Sequence, residues 1–278
     1  MTLKQKNQND IMSQELINSF EIDYIFESKP INRFKNKPTI ENINSRLNDL
    51  KTRIENNIPS GLLGINIGPN KDTSSMIDDF LSCAETFFPL GDYLTINISS
   101  PNTKGLRDFH NPESLKELLS KINNIREKSN FRKSFLLKIS PDIEDSYIGS
   151  IIELAQQHNI DGFILTNTTD RNRENLLDKK KNEIGGLSGR PIRDLSTELI
   201  KKFYRQLKGK IPIIGVGGVD SGKSAFEKLA AGAAAVQLYT GMIYKGPTVV
   251  KEIKKELIVI MREKGIKNIK EVIGSSLD

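Results

Sequence analysis

Six short apolar runs mark the chain from residue 62 onward: LLGINIG (62–68), YLTINIS (93–99), SFLLKIS (134–140), GFILTNT (162–168), IPIIGVGG (211–218) and AAVQLYTG (234–241). Most gaps between them hold stretches whose apolar residues recur every three and four positions, as in SYIGSIIELAQQHN and TELIKKFYRQLK. That spacing draws one apolar stripe along a helix. Strands alternating with helices predict a parallel sheet built from βαβ crossovers. The nearly continuous apolar character of the runs predicts strands covered by helices.

Each run ends in polar residues or glycine: Asn66 and Gly68, Ser99 and Ser100, Lys138 and Ser140, Asn167 and Thr168, Gly217 and Gly218, Tyr239 and Thr240. An open doubly wound sheet gathers its ligand at one switch point. A barrel draws residues from the carboxyl end of every strand. Polar chemistry at all six ends predicts an α/β fold of the (β/α)8 TIM-barrel type. The first 60 residues differ, with FEIDYIF (20–26) as one candidate strand and TIENINSRLNDLKTRIENN (39–57) as one amphipathic helix. Residues 1–60 are therefore expected to be a degenerate N-terminal segment, and 61–278 a partial barrel domain whose first two βα units are missing or degenerate.

Composition narrows the function classes. Of 278 residues, 37% are hydrophobic and 27% charged, a globular balance with a core of useful size. The net charge of +6 raises nucleic acid as a partner. However, the lysines alternate with glutamates, as in LKELLSKINNIREK and VVKEIKKELIVIMREK, which describes a solvated surface. No nucleic-acid partner is expected. No apolar run approaches the roughly 20 residues that span a bilayer, and MTLKQKNQND contains no apolar signal core. The single Cys83 excludes an internal disulfide.

The candidate chemistry lies at the strand ends. TINISSPNTKGLR (95–107) stops a strand on two serines framed by Asn97 and Asn102, either as ordinary turn chemistry or as a mouth shaped around a polar ligand. Lys138, inside FLLKIS, is costly to desolvate unless it faces an anion or snorkels past the strand end. IPIIGVGG followed by LYTG places tandem backbone-rich loops after the last two strands, where barrels bind phosphate. GKS (222–224) lacks the glycine frame of a P-loop. GFILTNTTD (162–170) offers amides and hydroxyls, and IGGLSGRP (184–191) is a glycine-rich loop expected near the same site. His110 and His158 read as surface or capping residues, and two histidines with one cysteine argue against a metal cluster or a Ser-His-Asp triad.

LLGINIGPNKDT, INISSPNTKGLR, LLKISPD, GFILTNTT, GGLSGRP, IPIIGVGGVDS and AAVQLYTG follow one another in the order and spacing of dihydroorotate dehydrogenase. The chain resembles that family over residues 61–246, and its quinone-dependent (class 2) branch most closely, because class 1 enzymes carry cysteine where Ser100 stands. The resemblance implies a barrel that binds FMN and oxidises dihydroorotate to orotate in pyrimidine synthesis, with quinone as final acceptor. By the same resemblance Ser100 is the catalytic base. Asn97, Asn102, Asn167, Thr168 and Asn32 bind substrate. Asn66, Asn97, Lys138 and Thr166 contact the flavin ring, and Gly189, Gly218, Tyr239 and Thr240 cradle ribityl and phosphate. It further implies a cytoplasmic location, peripheral on the inner membrane where the family's N-terminal helices are supplied.

The departures are specific. The family's alanine-glycine-x-aspartate-lysine stretch and its glycine-threonine-valine-threonine strand end have no counterpart. Its substrate loop survives only as INRFKNKP (31–38), with Asn32 and Arg33 in place. These gaps raise a competing expectation: a truncated, non-catalytic remnant, or a start assigned too far downstream. A third reading is an FMN barrel oxidoreductase that acts on a different ring.

Overall fold

The computed structural model describes residues 23–27, 48, 52, 62–70, 73–129, 133–171, 173–174, 176–179 and 181–277. The described residues divide into two compact units, one ending at Gly186 and one beginning at Leu187.

The first unit runs β1 (Asp23–Glu27), β2 (Leu62–Ile67), α1 (Met76–Phe87), β3 (Tyr93–Asn97), α2 (Pro112–Lys128), β4 (Ser134–Ile139), α3 (Asp145–Gln157) and β5 (Gly162–Leu165). Each strand pairs in parallel with the next. The candidate strand at 20–26 is thus present, shifted to 23–27. Of the helix expected over 39–57, residues 48 and 52 are helical and the remainder lies outside the described residues.

Alternation along these strands separates two faces. Leu63, Ile65 and Ile67 of β2, Leu94 and Ile96 of β3, Phe135, Leu137 and Ile139 of β4, and Phe163 and Leu165 of β5 are fully buried. Their face is closed by the apolar stripes of the helices: Phe80, Ala84 and Phe87 of α1, Leu115, Leu118, Leu119 and Ile122 of α2, and Ile148, Ile151, Ile152 and Ala155 of α3. Burial of each such side chain contributes about 1.5–3 kcal/mol. The opposite face carries Asn66, Thr95, Asn97 and Lys138. Their register pairs Asn66 with Thr95 and Asn97 with Lys138. Helix starts are encoded locally. Ser75 accepts the Asp78 N–H at the head of α1, and Asn111 accepts the Glu113 N–H ahead of Pro112 in α2.

The second unit contains α4 (Arg193–Leu207), β6 (Ile213–Val216), α5 (Gly222–Ala230), β7 (Ala235–Gln237), α6 (Thr240–Lys245) and α7 (Val249–Glu263). β6 and β7 pair in parallel. Val219, Ala225, Leu229, Val249, Ile253, Leu257, Met261 and Val272 form its apolar core. α5 abuts α7 so closely that a Cβ at Gly222 would lie 2.3 Å from Glu256 Cβ. Among the described residues no helix is long and apolar enough to cross a membrane.

All six apolar runs contain strands; Asn66 and Lys138 lie within the last residues of β2 and β4, and the other polar or glycine residues that close the runs follow their strands. All of them lie at the carboxyl ends of the strands.

Candidate functional site at the strand ends

In the first unit, Asn97 closes β3 and is buried, as is Asn66 in β2. Lys138 sits beside Asn97 on β4 and is half-buried. Just beyond β5, Thr166 is buried and Asn167 and Thr168 are half-buried. Two hydrogen bonds tie the β5 end to the β3 end, and a third braces the β3 end itself. Ser99 Oγ donates to Asn97 Oδ1 at 2.7 Å, and Asn167 Nδ2 donates to Ser99 Oγ at 2.9 Å and to Asn97 Oδ1 at 3.3 Å. Backbone groups fix both amides: the Ser99 N–H donates to Asn97 Oδ1 and the Thr168 N–H donates to Asn167 Oδ1. Asn97 enters this cluster through its oxygen, which accepts from the Ser99 N–H, Ser99 Oγ and Asn167 Nδ2.

Ser100 is half-buried, and its Oγ accepts the Asn102 N–H at 3.2 Å. A backbone donor to that oxygen favours negative charge on it. Asn102 itself is exposed, and Asn32 lies outside the described residues. Gly186, from the glycine-rich loop, lies against this mouth. A Cβ there would stand 1.8 Å from Thr168 Oγ1 and 3.1 Å from Pro101 Cγ, so only glycine fits without moving Thr168. Arg173 closes the same loop, donating to the carbonyls of Lys181, Glu183 and Gly185. A cavity of about 560 Å³ opens beside Asn102, lined by Pro101, Asp170, Arg173 and residues 182–185.

The network under the mouth includes residues absent from the sequence-based site list. Arg107 pairs with Asp142 at 3.0 Å and Asp170 at 3.1 Å. His110 is buried rather than on the surface. Its Nε2 accepts the Ser140 N–H at 3.3 Å, so Nδ1 carries the proton donated to the Arg107 carbonyl at 2.9 Å. Burial pushes this imidazole down to about 4, which keeps it neutral. Arg107 and Asp142 both stand in the motifs GLR and ISPD, but their pairing spans sequence positions that no local pattern connects.

In the second unit, Gly189, Gly218 and Thr240 come together. A Cβ at Gly189 would lie 3.0 Å from Thr240 Cγ2, one at Gly218 would lie 2.6 Å from Arg193 Cβ, and one at Gly241 would lie 2.7 Å from the Val219 carbonyl. Gly218 and Gly189 adopt φ of 74° and 77°, which strain any other residue. Thr240 Oγ1 donates to Ser188 Oγ at 2.9 Å. Tyr239 is 67% exposed and contributes through its carbonyl, which accepts from Met242 and Ile243. Arg190 and Arg193 bind the Asp220 carboxylate, and Lys245 Nζ donates to the Asp220 carbonyl. Burial opposes ionisation of Asp220, but Arg190, Arg193 and Lys245 outweigh it and hold the carboxyl below its usual range. The amide nitrogen of Gln237, buried in β7, has no acceptor among the described residues. The GKS triplet is not an anion loop. The Gly222 N–H donates to Glu256 and the Ser224 N–H to Ser221 Oγ, so the first turn of α5 is already occupied.

The solved structures that resemble this chain share its architecture. Ligand-free DHODH from Eimeria tenella superimposes with a TM-score of 0.81 at 35% identity, covering 86% of this chain and 71% of that one. The same protein in complex with ferulenol gives 0.81 at 34%, covering 87% and 69%. The fold is therefore α/β of TIM-barrel type, with polar groups gathered at the carboxyl ends of its strands. The dihydroorotate dehydrogenase profile matches residues 27–261, and the chain belongs to that family, on its quinone-dependent, class 2 branch. The mitochondrial dihydroorotate dehydrogenase (quinone) of Mus musculus is 44% identical over 214 residues, which is 76% of this chain and 54% of that protein. The dihydroorotate dehydrogenases (quinone) of Rhodopseudomonas palustris strain HaA2 and Bartonella tribocorum are 40% and 42% identical, over 77% and 79% of this chain and 60% and 62% of theirs. The chain thus spans 54–62% of the length of these relatives.

Proposed function

We propose that this chain oxidises dihydroorotate to orotate in pyrimidine biosynthesis, with FMN as its cofactor and a quinone as final acceptor. The observation that carries the reading is the Asn97–Ser99–Asn167 cluster held directly against the Ser100 turn. It offers neutral donors and acceptors to a pyrimidine next to a hydroxyl able to take a proton.

Ser100 acts as the general base and removes the proton from C5 of dihydroorotate. As the C5 proton arrives, the hydroxyl passes its own proton on to solvent, and the Asn102 N–H on its Oγ orients the group and eases that loss. Asn97, Asn102, Asn167 and Thr168 hold the ring carbonyls, N–H groups and carboxylate, and Asn32 joins them by family resemblance. Gly186 and the loop that Arg173 closes lie over Thr168 and Pro101, which limits water at the reacting carbon. When bound, FMN supplies the acceptor for the hydride that leaves C6.

The residues present fit that cofactor. Asn66, Asn97, Lys138 and Thr166 supply amide, ammonium and hydroxyl groups for its ring. Lys138 is the cation that would balance negative charge there. Gly189, Gly218, Tyr239 and Thr240 supply a close-packed backbone for ribityl and phosphate, and the orphan Gln237 amide is a further donor for a polar ligand. A domain of residues 61–278 that binds FMN, preceded by a degenerate segment over 1–60, is the organisation consistent with this. We place it in the cytoplasm, with peripheral contact to the inner membrane only where helices of the family's N-terminal type are supplied. The remnant reading finds no support in the comparisons.

The test is purification of the chain, extraction and identification of any bound flavin, and assay of orotate formation with a soluble quinone. Bound FMN and orotate production are expected. FMN-loaded protein that turns over no dihydroorotate refutes the activity.

A further inference from the structure

We propose that Arg107 is a positioning residue that sets the spacing between the Ser100 turn and the Asn167–Thr168 strand end. The inference rests on the proposed function, which makes Ser100 the proton acceptor. Its guanidinium spans the two segments directly. Nε donates to the Ser99 carbonyl at 3.4 Å and Nη2 donates to the Thr168 carbonyl at 3.3 Å. Ser99 is the residue before the base, and Thr168 is itself part of the mouth.

Both ends of Arg107 are anchored to one segment. Nη1 pairs with Asp142, whose side chain is 3% exposed and which also accepts the Thr169 hydroxyl. The Arg107 carbonyl accepts from His110 Nδ1, and His110 Nε2 accepts from the Ser140 N–H. Loops after β3, β4 and β5 are therefore joined through a single side chain and its own peptide group. The charge of Arg107 is met by two carboxylates, Asp142 and Asp170, so the cluster exerts no net positive field on the serine. Its contribution is geometric. A planar fork can reach two carbonyls and a carboxylate at once, whereas a lysine ammonium can keep the Asp142 pair but cannot span both strand ends. Displacements near 1 Å at a proton-transfer site cost on the order of 100-fold in rate.

The experiment compares the FMN-loaded full chain with its Arg107→Lys and Asp142→Asn variants. Amide hydrogen exchange in segments 99–107 and 166–170 is expected to quicken together, by about tenfold or more in both variants, while segment 213–230 exchanges as in the unmodified chain. The rate of flavin reduction at saturating dihydroorotate should fall by roughly 10–100-fold, with KM within about threefold and an unshifted pH profile. Unchanged exchange in either segment overturns the inference, as does a rise in KM at constant kcat. If one variant does not fold, the other decides. A chain that dihydroorotate cannot reduce refutes the proposed function, and the exchange arm still decides the spacing.

Discussion

Asn167 Nδ2 donates to Ser99 Oγ at 2.9 Å, across 68 positions of sequence, and so ties the end of β5 to the residue before Ser100. The bond joins a group expected to hold substrate to the turn expected to accept its proton. Asn167→Ala should remove about 1–2 kcal/mol of stability by leaving Ser99 with one partner fewer. It should also raise KM for dihydroorotate more than it lowers kcat. Chemical denaturation and steady-state kinetics check the two effects.

Ser100→Ala removes the proposed base and leaves the flavin contacts in place. Reduction of bound flavin by dihydroorotate should slow by about 10²–10⁴-fold while flavin content stays at its original level. Stopped-flow absorbance measures the first and extraction of flavin the second. An unaltered reduction rate would remove Ser100 from the mechanism.

Gly218→Ala forces a Cβ to within 2.6 Å of Arg193 Cβ at a φ of 74°. The loop must shift, and FMN affinity should fall by about 5–150-fold on the strength of about 1–3 kcal/mol of strain. Equilibrium dialysis with FMN checks this. Lys138→Met tests the other end of the cofactor, with weaker retention or slower reduction expected. Unmodified behaviour in both would contradict the role given to its ammonium.

His110 gives the fold a defined acid sensitivity. Burial holds its folded pKa at about 4, below the unfolded value of 6.5. The neutral ring therefore contributes in full above pH 6.5, and the contribution declines as pH falls from 6.5 toward 4. Between pH 7 and pH 5 the unmodified chain should lose roughly 2 kcal/mol more stability than His110→Gln. Urea titrations of both proteins at the two pH values measure the difference.

Much of this was legible in the sequence. Apolar runs located six strands because buried parallel strands need little else; that Asn66, Asn97 and Lys138 share one face came from the strand register. The polar strand ends pointed to the site. What could not be read was long-range pairing. Nothing local links Arg107 to Asp142 or sends His110 into the interior, because each depends on how distant loops meet. The glycines of IGGLSGRP marked a loop near the site, but that Gly186 must lie flush on Thr168 is a packing fact. FEIDYIF marked a strand at 20–26, but acidic residues within its apolar pattern blurred its bounds, which are 23–27.

The most direct measurement is anaerobic mixing of the purified yellow chain with one equivalent of dihydroorotate while the visible flavin absorbance is followed. Bleaching, with orotate formed in equal amount, is the expected result. A flavin that stays fully oxidised in the presence of excess dihydroorotate would contradict the account.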